Sequence, residues 1–172
     1  MNFMISMIAA FSINRVIGIN NKIPWYIPKD LKWFKKHTLF KIILMGRLTW
    51  ESIGKLLIKR TNIVLSRSSS YKFNLFELYN ANDVIWLSSF KDLFSNLPKN
   101  DEIVIIGGES IYKQTLKYVD RLYLTHIYKY FYGDRFFPDY SIYNWKSIYK
   151  KTCIFNINGR FTYCLEILDR VT

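Results

Sequence analysis

The sequence predicts an α/β fold in a single domain, with a mainly parallel sheet that ends in an antiparallel hairpin. Three observations carry this. Short apolar, β-branched runs at 4–11, 42–45, 62–65, 84–87 and 103–106 alternate with helix-like segments at 28–37, 48–54, 90–95 and 110–117. Beyond 120 the alternation stops: "RLYLTHIY" at 121–128 is a further strand, and runs at 147–157 and 160–168 flank Asn158-Gly159, the strongest short hairpin signal. Finally, the 172 residues are 50% apolar and 18% aromatic, with no linker, repeat or low-complexity stretch, so one core across 1–172 is expected.

The first strand opens a segment, "MNFMISMIAAFSINRVIG", whose apolar character imitates a signal peptide. It lacks a basic start and reads as a buried strand from about Met4, which makes the cytoplasm the expected location. No apolar run approaches the ~20 residues of a membrane span.

The first helix begins at Pro28, a residue suited to the first helical position. Ile27, Leu31 and Phe34 then fall at i, i+4 and i+7 on one stripe, with Lys29, Lys32, Lys35 and Lys36 mostly off it. Asp30 lies on the stripe. A carboxylate turned toward a core or cleft needs a partner. Thr125, in the alternating strand "LYLTHI", is one candidate, and a ligand with an amidine-like pair of donors is another. The plain alternative is an N-terminal aspartate favoured by the helix dipole.

Strand 42–45 runs into Gly46-Arg47 and a helix whose first turn carries Thr49; the next strand ends in "NIVLSR", with Ser66 and Arg67 at its carboxyl end. Hydroxyls and guanidinium groups at strand ends suit a pyrophosphate or ribose phosphate, and ligands of open α/β sheets collect there. Stretches 66–73 and 97–102 read as polar loops. "EIVIIGGESIYKQTL" is a strand, two glycines and a helix start; it is not GxGxxG, and this pattern is as often a tight connection as a phosphate site. Seven glycines in 172 residues is about 4%, against an average near 7%, so each is expected to have a backbone reason.

The net charge of +12 invites a nucleic-acid or anionic-membrane partner, but no block of five or six basic residues occurs. The lysines around Trp33 and Phe34 are the wet face of an amphipathic helix. Two histidines, His37 and His126, are too few for a zinc cluster, and Cys153 and Cys164 are expected to be free thiols, so no metal is expected.

Together "MISMIAAFSINRVIG", "IPWYIPKDLKWFKKHTL", "MGRLTWESIG", "NIVLSR", "VIIGGESIY", "LYLTHI", "GDRFFPDY" and "YCLEIL" resemble the bacterial dihydrofolate reductase family in order and spacing. The resemblance implies a three-layer fold with an eight-stranded, mostly parallel sheet, an antiparallel C-terminal hairpin and four flanking helices. It also implies reduction of 7,8-dihydrofolate by NADPH in a monomer that takes antifolate inhibitors. By the same resemblance Asp30 holds the pterin, supported by Thr125 and by a water near Trp25. Ile8, Leu31, Phe34, Ile53, Leu57 and Ile106 form the substrate walls, Tyr112 lies near the nicotinamide, and Arg60 pairs with the glutamate α-carboxylate. Ala10, Ile17, Gly46, Arg47, Leu48, Thr49, Leu65, Ser66, Arg67, Gly107, Gly108 and Gln114 fall on cofactor positions, with a cis peptide expected between Gly107 and Gly108. Residues 14–26 match the family's lid, and Gly133-Asp134 the loop that steadies it.

The chain departs from the family at Leu56-Leu57-Ile58-Lys59, where prolines are common, at Glu109, which replaces a glycine, and at Ile42, which replaces a proline. Two other readings stand beside this one. The pyrimidine reductase of riboflavin synthesis shares fold and cofactor but lacks the acid on the first helix, and a basic nucleic-acid-binding module would use the charge alone.

Overall fold

Strand β1 (Met4–Ser12) sends Ile5, Met7, Ala9 and Phe11 into one apolar cluster and Ile8 into another, the two-sided burial of a central strand. The computed structural model describes residues 3–67, 84–94, 101–156 and 160–171. After β1 come β2 (Val16–Gly18), helix α1 (Pro28–Thr38), β3 (Ile42–Gly46), α2 (Arg47–Ile53), β4 (Thr61–Leu65), β5 (Ile85–Leu87) and α3 (Phe90–Phe94). Then follow β6 (Glu102–Gly107), α4 (Glu109–Thr115) with a 3-10 turn over 116–118, β7 (Arg121–Ile127), β8 (Arg135–Phe136), β9 (Trp145–Phe155) and β10 (Phe161–Arg170).

Eight strands form one sheet in the order β5-β4-β3-β6-β1-β7-β10-β9, parallel as far as β7, with β10 antiparallel to both β7 and β9. The expected parallel sheet and C-terminal antiparallel pair are both present. The turn at Asn158-Gly159, most of the two polar loops and residue 95 lie outside the described residues. β2 and β8 form a separate two-stranded antiparallel pair, which sequence patterning did not predict because strands of two or three residues carry no readable period.

Both sheet faces are covered, which gives three layers. α1 and α2 bring Trp33, Trp50 and Ile53 onto Ile8, Ile43, Met45, Val64 and Val104. On the other face α3 and α4 bring Leu93, Ile111 and Tyr112 onto Met7, Leu44, Ile63 and Ile105. Burial on both faces explains why β3, β4 and β6 read as near-continuous apolar runs. β9, at one edge of the sheet, is exposed along most of its length and carries Lys146, Lys150 and Lys151, charges that discourage edge-to-edge pairing.

Helix α1 uses two faces, where the apolar stripe predicted one. Trp33, His37 and Thr38 are buried against the sheet, whereas Leu31 is 48% exposed and stands with Asp30 and Phe34 on a cleft. Pro28 at the start, Asp30 in the first turn and Lys35, Lys36 and His37 in the last complement the helix dipole. Cys153 and Cys164 are free and buried. Cys153 pairs across the strands with Tyr163, so Cys164, the next residue, faces the opposite side of the sheet and the two cannot bridge.

Candidate functional site

A cleft of about 1650 Å³ opens at the carboxyl ends of β1, β3, β4 and β6, where β6 inserts between β3 and β1. Of the substrate, cofactor and catalytic residues expected from the sequence, all but Arg60 and Thr125 line it. Those two stand directly behind it. Thr125, fully buried on β7, donates from Oγ1 to Asp30 Oδ1 at 2.6 Å, and the Arg60 guanidinium lies over the ring of Phe34, 5.9 Å from its centroid.

Asp30 is the acid at the apolar end. Its neighbours along the cleft are Ile8, Trp25, Leu31, Phe34, Ile53 and Ile106. Burial pushes its pKa above the ordinary carboxylate value, and the Thr125 hydrogen bond pulls the other way without cancelling that rise. Both sequence readings of Asp30 hold, since it sits in the first helical turn and has the predicted threonine partner. Trp25 packs edge-on against Phe131 at 5.0 Å, and its indole Nε1 is buried with no hydrogen-bond partner among the described residues. Tyr112 is a mostly buried part of the cleft wall; its hydroxyl donates to Ile8 O at 2.7 Å, and burial raises its pKa so that it stays a neutral phenol.

The other end is basic. Lys22, Arg47, Arg67, Lys91, Lys113, Lys117 and Arg135 line the cleft, against the carboxylates of Asp30, Glu109 and Asp139, a balance that attracts anionic ligands. The Gly107–Gly108 peptide is cis, as expected, and Gly107 has φ +117°, a conformation that favours glycine. A Cβ on Gly108 would meet Thr49 Oγ1 at 3.1 Å, so the glycine keeps that hydroxyl open to the cleft. Hydroxyls, cations and a close backbone suit a phosphorylated cofactor. Glu109, the departure near this wall, is paired by Lys113 at 2.6 Å, which neutralises it.

The loop over 14–26 is tied down by hydrogen bonds, two to Asp134 and one to Ser52 among them. Asp134 N donates to Gly18 O at 3.0 Å, Asn20 N donates to Asp134 Oδ2 at 3.2 Å, and Ser52 Oγ donates to Asn21 O at 2.5 Å. Sequence reading named the first loop and Gly133-Asp134 but missed Ser52, because a hydroxyl on the outer turn of α2 carries no signal of its distant partner. It also missed Ser88, Ser89, Lys91 and Arg135 on the cleft wall. "LSSFK" at 87–91 repeats the pattern of a strand end, hydroxyls and a cation that marked Arg47 and Arg67, so that signal was available.

The family model for dihydrofolate reductase matches residues 4–170. The chain belongs to the dihydrofolate reductase family. It is 48% identical over 168 residues to the dihydrofolate reductase of Buchnera aphidicola subsp. Schizaphis graminum, covering 96% of this chain and 99% of that one. It is 44% identical over 141 residues to the enzyme of Haemophilus influenzae, 82% of each chain. The solved structure of dihydrofolate reductase from Enterococcus faecalis, complexed with NADP(H) and RAB-propyl, matches with a TM-score of 0.80 and 29% identity over 98% of this chain and 97% of that one. Membership makes the protein an oxidoreductase that reduces dihydrofolate with NADPH, and it decides between the two reductase readings.

Proposed function

We propose that Asp30 recognises the pterin of 7,8-dihydrofolate and promotes its protonation, within a cleft that holds NADPH along Gly46–Thr49, Leu65–Arg67 and Gly107–Gly108. The single observation that carries this reading is the Thr125–Asp30 hydrogen bond at the apolar end of the cleft. One carboxylate oxygen is oriented by the threonine, so the group is held rigidly, facing ligands that present two adjacent N–H donors.

NADPH, when bound, supplies the hydride. The chain's own groups supply placement and field. Asp30 grips the 2-amino group and N3 of the pterin, and its negative charge raises the basicity of N5. Trp25 offers its buried N–H to an ordered water beside Asp30. Ile8, Leu31, Phe34, Ile53, Leu57 and Ile106 exclude bulk water around the rings, and Arg60 takes the glutamate carboxylate. Arg47 and Arg67 favour the 2′-phosphate of NADPH over NADH. The loop over 14–26 closes above the nicotinamide, steadied by Asp134. The protein acts as a cytoplasmic monomer with antifolates among its ligands.

The test is the loss of NADPH absorbance on adding dihydrofolate, for the parent and for Asp30→Asn. The parent is expected to turn over. The variant is expected to lose at least a hundredfold at pH 7 and to recover partly at pH 5, where solvent can protonate the substrate unaided. A variant as fast as the parent at pH 7 removes Asp30 from the mechanism. Salt-sensitive retention on nucleic acid, without NADPH oxidation, would favour the basic binding module instead.

A further inference from the structure

We infer that Thr38 and Asn62 are positioning residues that preset Arg60 and Leu57 for the carboxylate end of the substrate. The inference rests on the role proposed for Arg60 and adds the device that makes a proline-free loop precise enough for it.

The segment 54–60, "GKLLIKR", has no helix or strand and no proline, and Ile58 is 71% exposed. A loop of this kind is expected to sample several conformations. Two fully buried polar side chains prevent that here, and each belongs to a rigid element. Asn62, on β4, accepts from Leu57 N at 3.2 Å and donates from Nδ2 to Leu57 O and Arg60 O, both at 2.9 Å. It therefore fixes the loop backbone at the two residues the substrate site needs.

Thr38, on the last turn of α1, accepts from Arg60 Nε at 2.9 Å and donates to Phe34 O at 2.8 Å. Arg60 Nη1 is bound in turn to Ile58 O at 3.0 Å. All these acceptors are neutral, and among the described residues no carboxylate forms an ion pair with Arg60. The guanidinium plane is thus set before any anion arrives, and its charge is left for one. Because α1 also carries Asp30, Leu31 and Phe34, the Thr38 bond joins the two ends of the substrate site into one rigid body. A preset donor captures a carboxylate without losing further side-chain freedom.

Dihydrofolate kinetics, together with direct binding of folic acid and of a tailless 2,4-diaminopyrimidine read by tryptophan fluorescence, test the inference. Thr38→Val is expected to raise KM for dihydrofolate and Kd for folic acid about tenfold. The same variant should leave kcat, KM for NADPH and the affinity for the tailless pyrimidine within twofold. Thr38→Ser, which restores the hydroxyl, is expected to return to within twofold of the parent. If Thr38→Val does not fold, Asn62→Ser takes its place with the same expected ratio between tailed and tailless ligands. Equal weakening of both ligands, or no change in either, overturns the inference. A parent that binds folic acid with this discrimination yet never oxidises NADPH overturns the proposed reaction alone.

Discussion

Thr125 and Asp30, 95 positions apart in the chain, meet through a 2.6 Å hydrogen bond that joins the middle of the sheet to the first turn of α1. The bond lowers the pKa of an acid that burial raises. Thr125→Val removes the lowering influence alone. The acid-side limb of the kcat/KM pH profile should then move to higher pH, because the buried carboxyl loses the hydrogen bond that favours its charged form. An unmoved limb would show that Thr125 serves packing only.

Asp30, because it is buried, also bears on stability. Its folded pKa lies above the unfolded value, so the charged form opposes folding at pH 7, and this penalty fades as pH falls through the folded pKa toward 3.8. Asp30→Asn should therefore be more stable than the parent at pH 7, by on the order of 1 kcal/mol, and no more stable near pH 3. Urea midpoints at the two pH values check this.

His37 is wedged between Trp33 and Tyr123, each 4.2 Å away by ring centroid. Burial first, then the charges of Lys41, Lys36 and Arg121, hold its pKa down to about 4, with Glu102 pulling upward. The neutral ring contributes its full stability above pH 6.5 and loses it as pH falls from there toward 4. Between pH 7.5 and pH 5 the parent should lose about 1–2 kcal/mol that His37→Phe does not, after allowance for solvent screening. Parallel denaturation curves for the two proteins at both pH values would falsify the assignment.

Arg47 Nη1 lies 2.5 Å from Glu51 Oε1, so this cleft guanidinium already has a carboxylate partner. Both side chains are about half exposed, and such a pair contributes at most about 1 kcal/mol. Glu51→Gln should tighten NADPH by up to about fivefold, leave dihydrofolate binding unchanged and steepen the dependence of NADPH affinity on salt. Titration at two ionic strengths reads all three effects.

Gly133 fits against β2 so closely that a Cβ would stand 2.2 Å from Val16 Cγ1 and 2.7 Å from Gly18 O. Gly133→Ala should displace β2 and cost at least tenfold in turnover. Adding Val16→Ala should recover only part of the loss, since the carbonyl contact remains. Full recovery in stopped-flow turnover would mean that the side-chain contact alone matters.

Much of this molecule was legible before its structure. The parallel strands declared themselves because burial on both faces makes Ile42–Met45 and Ile103–Ile106 unbroken apolar runs, and the stripe containing Asp30 together with the alternation around Thr125 pointed the two residues at each other. What stayed hidden depended on tertiary approach. Three-residue β2 has no period of its own. His37 was weighed only as a metal ligand, because its packing depends on Trp33 and the distant Tyr123. Asn62 looked like an ordinary strand residue, because the backbone groups it binds belong to a loop whose conformation that side chain itself creates.

The position of β6 between β3 and β1 has one last consequence, for the order in which the protein can assemble. The strand at the heart of the sheet emerges only after β3, β4 and β5, so an N-terminal half-chain leaves a gap beside β1 where Gly107 belongs. Pairing across nearly a hundred residues, as between Met4 and Glu102, is slow to nucleate. Ligand binding during refolding should thus appear late and report closure of the sheet's centre, rather than formation of α1 or the first strands.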